Sequence, residues 1–372
     1  MPDPLRIADR MDHITASGIR KVFDLGAKLS DPIDLSIGMP HFDVPDEIKA
    51  QAKAAIDAGL NRYTPTQGAD ALRQAIADAC RAEFGWADDR TYMVTCGVAG
   101  ALTLGIMATV NPGDEVIVTD PHFVMYSYIT RMAGGVPVAV DTYDDFRPDI
   151  QRIADAITHR TRLIVINSPG NPTGCVYSQA ELRDIAHLAD RHGLLVVSDE
   201  IYNLFVYDRP YTSMAGICEN TLLCRGFSKT YGMPGWRLGW CTGPPVILDK
   251  MKTLQQWTFV CGPSMAQAAG ALALTTDMSQ YVDAYRRKRD MVFDSLGQRF
   301  GLIKPGGAFY AFCPAPGGDA MAFVTRAIEK NVLIIPGSVF SGRDTHFRLS
   351  YAATDEKLRR GLEILVALAE EF

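Results

Sequence analysis

One lysine and one arginine, Lys229 and Arg237, lie eight residues apart in the segment Gly226–Trp240, whose other residues are uncharged. Enclosure among such neighbours removes water from the lysine ammonium group, which lowers the pKa of the amine and makes it a nucleophile. The alternative is a surface turn with an isolated lysine and arginine, because Gly232-Met233-Pro234-Gly235 is typical of a turn. The segment by itself leaves both interpretations open.

Two other charged residues, Asp199 and Arg348, lie close to or within runs of apolar residues. Asp199 comes shortly after Leu194–Val197, and a carboxylate at the end of an apolar strand is unfavourable unless it meets a cation. An aspartate at a helix N-cap is the common alternative. Arg348 interrupts the strand-like run His346–Tyr351, where an arginine among apolar side chains needs an anion. Both positions therefore predict contact with an opposite charge.

The segment Thr95–Leu102 contains small residues at the point where a strand is expected to turn into a helix. Small side chains there expose backbone N–H groups at a helix N-terminus, which is a natural cradle for phosphate. A turn of this kind also occurs without any ligand, so the segment alone is weak support for a phosphate site.

The elements that position these residues form a regular pattern from residue 92 onward. Short β-branched runs alternate with amphipathic runs, which predicts an α/β fold with a doubly wound, mostly parallel sheet and helices on both faces. The predicted strands are Tyr92–Cys96, Glu115–Thr119, Val136–Val140, Leu163–Asn167, Leu194–Ser198 and Thr221–Arg225. The predicted helices between them lie near 99–110, 124–133, 149–157 and 178–192. Ligands bind beyond the carboxyl ends of such strands, and the candidate residues follow strands.

The final third of the chain predicts a smaller α+β domain. Its strands are predicted at Ala308–Cys313, Val332–Ile335 and His346–Tyr351, and its helices near 319–330 and 354–372. We therefore expect a large domain at 35–280 and a small domain made of 1–34 and 281–372, with an amphipathic helix or arm at 13–34. A long helix near 280–300 carries the basic run 286–289, which we expect on a solvated face.

Composition limits the classes of function. The chain has 372 residues, 47% apolar and 22% charged, with a net charge of −6, and it has no basic run typical of a nucleic-acid or anionic-membrane partner. Its eight cysteines form no CxxC pair, so neither a metal site nor a disulfide framework is predicted. No signal peptide and no apolar run long enough to span a bilayer are visible. The expectation is a cytoplasmic protein.

Three strings together resemble a known family. They closely resemble the class I/II aminotransferases, the fold type I enzymes that use pyridoxal phosphate (PLP), and the resemblance runs from about residue 13 to the C-terminus. The strings are Gly226–Trp240, Ser198-Asp199-Glu200-Ile201-Tyr202 and Asn167-Ser168-Pro169-Gly170-Asn171-Pro172-Thr173-Gly174. Two proline-containing turns would also explain the last string, but its complete match to the family favours a functional role.

The resemblance implies roles for the residues that would do the chemistry. Lys229 would form a Schiff base with PLP and later move protons. Asp199 would keep the pyridine nitrogen protonated, and Tyr202 would contact the phenolic oxygen. Asn171 would donate to the same oxygen and lie near the substrate carboxylate.

The resemblance also implies the groups that hold the phosphate and the ring. Arg237 would bind the phosphate together with the N–H groups of Val98 and Ala99. Gly226 replaces a serine that is common in the family, and Ser228 would partly replace the missing hydroxyl. Phe123 would lie on the PLP ring, although an isolated aromatic residue more often packs in a core.

Three further residues are implied at the substrate and subunit boundaries. Arg348 would grip the substrate α-carboxylate in a bidentate pair, and Gly38 would leave room for the substrate, although its loop also reads as a crossing between domains. Tyr63, normally a packing residue in such a loop, would reach the PLP phosphate of a neighbouring subunit. The resemblance therefore implies a homodimer with shared active sites.

The predicted activity is transfer of an amino group between an amino acid and a 2-oxo acid by a ping-pong mechanism. A carbon–sulfur β-lyase on the same fold is the first alternative, and a non-catalytic PLP-binding regulator is the second. Thr253–Tyr285 contains no lysine or arginine that could bind a distal carboxylate, and Ala99 stands where some relatives carry a lysine. The residues expected near the side-chain pocket are apolar or aromatic, namely Trp257, Phe259, Phe123, Tyr126 and Ile19. We therefore expect neutral donors, aromatic or large aliphatic, with Arg20 as the one cation able to swing in.

Overall fold

Seven strands form the central sheet of the structure, a computed structural model that describes residues 5–16, 18, 19, 22, 29–87 and 90–372. The strands of the chain, in order, are β1 Ile33–Asp34, β2 Tyr92–Cys96, β3 Glu115–Asp120, β4 Val136–Asp141, β5 Thr161–Asn167, β6 Leu195–Asp199, β7 Thr221–Gly226, β8 Leu238–Thr242, β9 Tyr310–Pro314, β10 Val332–Leu333, β11 Ile335–Pro336 and β12 His346–Ser350. The central sheet has the order β2-β8-β7-β6-β5-β3-β4.

The helices lie mostly between the strands, as the sequence pattern predicts. In chain order they are α1 Asp46–Asp57, α2 Asp70–Phe84, α3 Gly97–Thr109, α4 Met125–Met132, α5 Ile150–Ala156, α6 Gln179–His192, α7 Pro245–Thr258, α8 Ser264–Ala273, α9 Ser279–Phe300, α10 Ala320–Glu329 and α11 Asp355–Leu368. Short 3₁₀ helices cover Asp9–His13, Met214–Gly216, Pro234–Trp236, Pro316–Gly318, Gly337–Val339 and Ala369–Glu371.

The central strands are buried on both faces, which explains their continuous apolar sequences. Val116 and Val118 of β3 belong to the core cluster that contains α3, whereas Ile117 between them belongs to the cluster that contains α5 and α6. The pairs β3–β4, β3–β5, β5–β6 and β6–β7 are parallel, as predicted. The carboxyl ends of these strands therefore meet at one edge, where the candidate residues lie.

Strand β8 is absent from the predicted strands. It pairs antiparallel with both β2 and β7, so the chain reverses direction between β7 and β8. This reversal occupies the segment from Phe227 to Arg237, which contains the candidate lysine. The strand passes close to α3 because Gly239 lacks a side chain: a Cβ there would lie 2.6 Å from the backbone nitrogen of Val98.

Two smaller sheets adjoin the central sheet. Strand β12 pairs antiparallel with β9 and β11, and β1 pairs parallel with β10. The predicted helix or arm at 13–34 falls partly outside the described residues, and its end forms β1 rather than a helix. Among the described residues, no helix combines the length and the apolar character needed to cross a bilayer.

The prediction that the basic run 286–289 faces solvent is wrong for half of its members. Lys288 and Arg289 on α9 are buried, with 3% and 1% of their surface exposed. Lys288 pairs with Asp355, and Arg289 pairs with Asp208 at 2.7 Å. Arg289 also pairs with the adjacent Asp290 at 2.8 Å, but Asp355 and Asp208 come from distant segments, so the local sequence does not indicate the burial.

Candidate active site

A cavity of about 600 Å³ lies where the ends of β5 and β6, the start of α3 and the small sheet of β9 and β12 meet. Its lining includes each predicted site residue except Tyr63. The lining residues are Ile19, Ile37, Gly38, Met39, Val98, Ala99, Leu102, Phe123, Val124, Met125, Tyr126, Asn167, Asn171, Asp199, Ile201, Tyr202, Ser228, Lys229, Pro234, Arg237, Tyr310 and Arg348.

Lys229 lies in the turn that follows β7, and its side chain enters the cavity. Its Nζ donates to the carbonyl oxygen of Gly38 at 2.6 Å, so its hydrogen bond is to a neutral acceptor. Burial, followed by the positive charges of Arg348 and Arg237, lowers the pKa of the amine to about 8. The amine therefore loses its proton far more readily than that of an exposed lysine.

Asp199 ends β6 and is 3% exposed. Its Oδ2 accepts a hydrogen bond from the Tyr126 hydroxyl at 2.7 Å, and its Oδ1 accepts one from the backbone N–H of Ile201 at 3.2 Å. Burial raises the pKa of the carboxyl to about 6, and the bond from Tyr126 limits that rise. The carboxylate is thus buried beside neutral donors, in a position that favours a cationic ligand group.

Tyr202 follows β6 in the next turn, and its hydroxyl lies 2.9 Å from the hydroxyl of Tyr310 on β9. Burial raises the pKa of both phenols. A side chain at Gly38 would overlap the Tyr310 hydroxyl. Gly38 therefore leaves room for Tyr310 in this structure, and because Gly38 also lines the cavity, its role beside the substrate stays a prediction.

Arg348 is fully buried in the middle of β12, with 1% of its surface exposed. Its Nη1 donates to Oδ1 of Asn171 at 3.0 Å, and its Nη2 donates to the carbonyl of Ser36 at 2.5 Å. Its Nε is buried and has no hydrogen-bond partner among the residues that the structure describes. Burial lowers the pKa of the guanidinium. A buried guanidinium with neutral acceptors and a free donor is suited to bind a carboxylate.

The start of α3 presents backbone N–H groups to the same cavity. The Ncap residue makes no side-chain cap bond, so the N–H groups of the first turn, including those of Val98 and Ala99, remain available. Arg237 lies against this turn, because a Cβ at Gly97 would be 2.8 Å from its Nη2. The Nη1 of Arg237 donates to the carbonyl of Pro234 at 2.9 Å. Guanidinium and N–H groups together form an anion site.

A side chain at Gly226 would be crowded in this structure. A Cβ there would lie 3.0 Å from Val98, 3.2 Å from Ile201 and 3.2 Å from the carbonyl of Leu238. A larger side chain would need these neighbours to move. Ser228, 8% exposed, lines the cavity and supplies the nearest hydroxyl of the segment.

Several predicted residues lie elsewhere. Tyr63 is 84% exposed and does not line the cavity of its own chain. Trp257 and Phe259, predicted near the side-chain pocket, are 84% and 42% exposed and are also not part of the lining. Ile19 does line it. Arg20 lies outside the described residues.

Two tyrosines that contact the predicted catalytic groups are weakly marked in the sequence. The sequence predicts Tyr126 in the lining of the site but does not predict its contact with Asp199, and it indicates Tyr310 only as part of the glycine-containing loop before β9. Their partners, Asp199 and Tyr202, are 73 and 108 residues away in the chain. Such contacts depend on how α4 and β9 pack against the rest of the protein, and a local sequence pattern does not predict that packing.

The family model described as aminotransferase class I and II matches residues 30–365. The chain belongs to the class I and II aminotransferases. Enzymes of this family use PLP, and the match covers every segment that lines the cavity except Ile19. The resemblance noted in the sequence is therefore confirmed.

Individual class I and II aminotransferases are similar over nearly the whole chain. The aspartate aminotransferase of Pyrococcus abyssi is 37% identical, and aromatic-amino-acid aminotransferase 2 of Thermococcus litoralis is 36% identical; each match covers 99% of both chains. A solved aspartate aminotransferase from Thermus thermophilus, with maleate, gives a TM-score of 0.93 at 35% identity over 98% of this chain and 100% of that chain.

These similarities confirm the predicted fold and the predicted class of enzyme. The fold is that of fold type I, and the chain is a PLP-dependent aminotransferase that moves amino groups between amino acids and 2-oxo acids. The relatives carry names of both aspartate and aromatic enzymes. Their names therefore leave the preferred donor open.

Proposed function

We propose that this aminotransferase binds PLP at Lys229 and works by a ping-pong mechanism that favours neutral donors. The observation that carries the proposal is the convergence on one cavity of three buried or partly buried ionisable groups that form no ion pair with another of the described residues. Lys229, Asp199 and Arg348 each line it, and their hydrogen bonds are to neutral groups. Asp199 has the charge opposite to that of a protonated pyridine nitrogen, Arg348 has the charge opposite to that of a substrate carboxylate, and Lys229 supplies an amine that loses its proton readily.

The described residues fit PLP group by group. Asp199 would meet the pyridine nitrogen, and Tyr202 and Asn171 the phenolic oxygen. Arg237, Ser228 and the N–H groups of Val98 and Ala99 would hold the phosphate, and Phe123 would cover the ring. PLP, when bound, supplies a ring that takes up the electrons released at the substrate Cα.

Lys229 would both attach the cofactor through Nζ and act as the base. Its lowered pKa of about 8 leaves a useful fraction of neutral amine near pH 7, which suits a general base. Asp199 would keep its charge when a cation lies beside it, because an opposite charge favours the ionised carboxylate. Tyr126 supports this by donating to Oδ2.

Arg348 would hold the carboxylate that every amino acid and 2-oxo acid carries. Arg348 could offer its unpartnered Nε together with a neighbouring Nη group, although both Nη groups donate to Asn171 and Ser36 in this structure. Because donor and acceptor acids need the same guanidinium, the first 2-oxo acid must leave before the second binds. This shared requirement is the physical basis of the proposed ping-pong order.

The preference for neutral donors rests on the rest of the lining. Ile37, Met39, Leu102, Val124 and Met125 contribute apolar surface to the cavity. A distal carboxylate among them would be buried without a partner, which is unfavourable. Glutamate or 2-oxoglutarate would be a tolerated partner if Arg20 reaches the cavity.

A donor panel tests the activity and the preference together. We expect phenylalanine or methionine to exceed aspartate in kcat/KM by at least about tenfold, since pocket contacts contribute roughly 1–3 kcal/mol. Each donor is assayed with 2-oxoglutarate, and glutamate is the expected product. Cysteine, which carries a sulfur leaving group on Cβ, is included to test the lyase alternative, and its conversion to pyruvate, ammonia and hydrogen sulfide would indicate that alternative. A clear advantage for aspartate would contradict the neutral preference and leave the aminotransferase class intact.

We also propose a homodimer in which Tyr63 reaches the partner's phosphate site. The loop that carries Tyr63 is held firmly: Gln255 donates to the carbonyl of Thr66 at 2.6 Å, and Gln267 donates to Thr64 Oγ1 at 3.0 Å. Tyr63 nevertheless exposes 84% of its surface, as does Trp257. A fixed loop with exposed aromatic residues is typical of an interface.

Hybrid dimers test this arrangement. Tyr63→Ala and Lys229→Ala subunits are each expected to be inactive or nearly so, and mixing them should restore activity because one site in each hybrid keeps both residues. Sedimentation should show a dimer. A fully active monomer, or mixtures without regained activity, would refute the shared site.

The division of the chain into domains is likewise proposed as 35–280 for the large domain and 1–34 with 281–372 for the small one. All seven central strands fall within 92–242, and the pairing of β1 with β10 joins residues 33–34 to the second part. Limited proteolysis that cuts near these boundaries would support the division, and cuts confined to 92–242 would contradict it.

A further inference from the structure

We propose that Tyr310 is a positioning residue that acts on the cofactor through Tyr202. This inference rests on the proposed PLP site and goes beyond it, because it assigns a role to a residue on the opposite side of the cavity. The two hydroxyl oxygens are 2.9 Å apart, and the side chains expose only 1% and 3% of their surface. The hydrogen bond between them is therefore shielded from water.

The position of Tyr310 is fixed from three directions. Its residue pairs with Ser350 across β9 and β12. The Arg348 guanidinium lies 4.6 Å from the centre of its ring, and Gly38 makes room for its hydroxyl. A ring held between a cation and a backbone segment has little freedom to turn. Its hydroxyl is consequently a constant neighbour of Tyr202.

The direction of the hydrogen bonds follows from the acceptor that Tyr202 meets. When the Tyr202 hydroxyl donates its hydrogen bond to a negatively charged oxygen, the Tyr202 oxygen can only accept a second hydrogen bond. The Tyr310 hydroxyl, 2.9 Å away, is then the donor of that bond. Bonds in such a chain strengthen one another. The other titratable or charged groups in the lining of the cavity are Tyr126, Asp199, Lys229, Arg237 and Arg348. Among the described residues, none of these groups forms a hydrogen bond with the Tyr202 hydroxyl.

The expected consequence is spectroscopic. Tyr202 stabilises the deprotonated form of the bound cofactor when it donates to the phenolic oxygen, and this lowers the pH midpoint of the cofactor's visible absorbance. Removing the donor to Tyr202 weakens that effect. Tyr310→Phe should therefore raise the midpoint, in the same direction as Tyr202→Phe and by about a tenth to a third as much.

The experiment compares pH titrations of cofactor absorbance in the PLP-loaded wild type, Tyr310→Phe, Tyr202→Phe and the double variant. We expect the double variant to have the midpoint of Tyr202→Phe, because Tyr310 acts only through Tyr202. Tyr351→Phe is the matched control. This buried tyrosine donates to the carbonyl of Ala308 at 3.2 Å and forms no hydrogen bond with Tyr202. It should lower the melting temperature about as much as Tyr310→Phe without moving the midpoint.

An unchanged or lowered midpoint in Tyr310→Phe would overturn the inference, and so would full addition of the two shifts in the double variant. An equal shift in Tyr351→Phe would show a general packing effect and would overturn it as well. A wild-type protein that takes up no PLP would refute the proposed function itself. The two failures are thus distinguishable in one set of titrations.

Discussion

Asp199 and Glu200 are adjacent in the chain and almost equally buried, at 3% and 1% exposure, yet they lie in opposite electrostatic surroundings. Glu200 accepts from the guanidinium of Arg225 at 2.8 and 3.0 Å and from the hydroxyls of Ser198 and Ser213. Asp199 accepts from a tyrosine hydroxyl and a backbone N–H. One carboxylate is fully compensated, and the other is left beside neutral donors.

The buried cations show the same division. Outside the cavity, Arg225 also pairs with Glu83, and Arg289 pairs with Asp208. Inside it, Lys229 and Arg348 donate to backbone carbonyls and an amide. A buried charge without an opposite charge is unfavourable for folding. The cavity therefore concentrates unfavourable charges that a ligand of the right chemistry would compensate.

The largest effect is expected when the cavity lysine is removed. Lys229→Ala should lower kcat by at least about 10⁴-fold, about 5 kcal/mol on the barrier, because both the attachment point and the base are lost. Steady-state rates with saturating donor measure this. Lys250→Ala, which removes an exposed lysine, serves as the control and should be unchanged. Substantial turnover in purified Lys229→Ala would remove the lysine from the mechanism.

The next largest effect is a loss of kcat that we expect for Asp199 but not for its neighbour Glu200. Asp199→Asn should lower kcat by roughly 10³-fold, about 4 kcal/mol, because the ring nitrogen loses its charged partner. PLP absorbance should remain, since the phosphate contacts are unchanged. Single-turnover rates locate the loss in the chemical step. A variant with near-normal rates would show that Asp199 is not the partner of the ring nitrogen.

Glu200→Gln should affect stability instead of chemistry. It leaves Arg225 buried with only Glu83, which is 37% exposed, as its carboxylate partner. We expect the free energy of unfolding to fall by about 3 kcal/mol, within the range for breaking a buried ion pair. Urea unfolding measures this, and kcat of the folded variant should stay within a few-fold of wild type. A large loss of kcat with unchanged stability would abolish the contrast with Asp199.

The smallest effect is a pH-dependent difference in the free energy of unfolding between Asp199→Asn and the wild type, both without cofactor. Burial raises the pKa of Asp199 to about 6, above its unfolded value of about 4, so its contribution to stability is lost as the pH rises through 6. Asp199→Asn should therefore be more stable than wild type by up to about 3 kcal/mol at pH 7–8. The two proteins should converge near pH 4.

Urea unfolding of the cofactor-free proteins at pH 4, 6 and 8 provides the comparison. With PLP bound, the order should reverse, because the ring nitrogen then compensates the wild-type carboxylate. An advantage for Asp199→Asn that is equal at all three pH values would indicate improved packing rather than relief of a buried charge.

The buried strands and the motifs that follow them could be predicted from the sequence. The strands of the central sheet are buried on both faces, so their apolar runs stand out, and the residues after them meet at one edge because the strands are parallel. The three motif strings carry Lys229, Asp199 and Asn171 at those ends. Strand β8 was not predicted because it is short, contains Gly239 and directly follows a turn-rich segment.

Only the tertiary structure decided which charges are compensated. Lys288, Arg289 and Arg348 are all basic residues in regular elements, and the sequence predicted two of them exposed and one bound to a ligand. The first two meet Asp355 and Asp208 from distant segments, whereas Arg348 meets an amide and a carbonyl. Tyr126 and Tyr310 likewise approach their partners across long separations. Burial and pairing depend on contacts between remote segments, and no local pattern of residue types encodes those contacts.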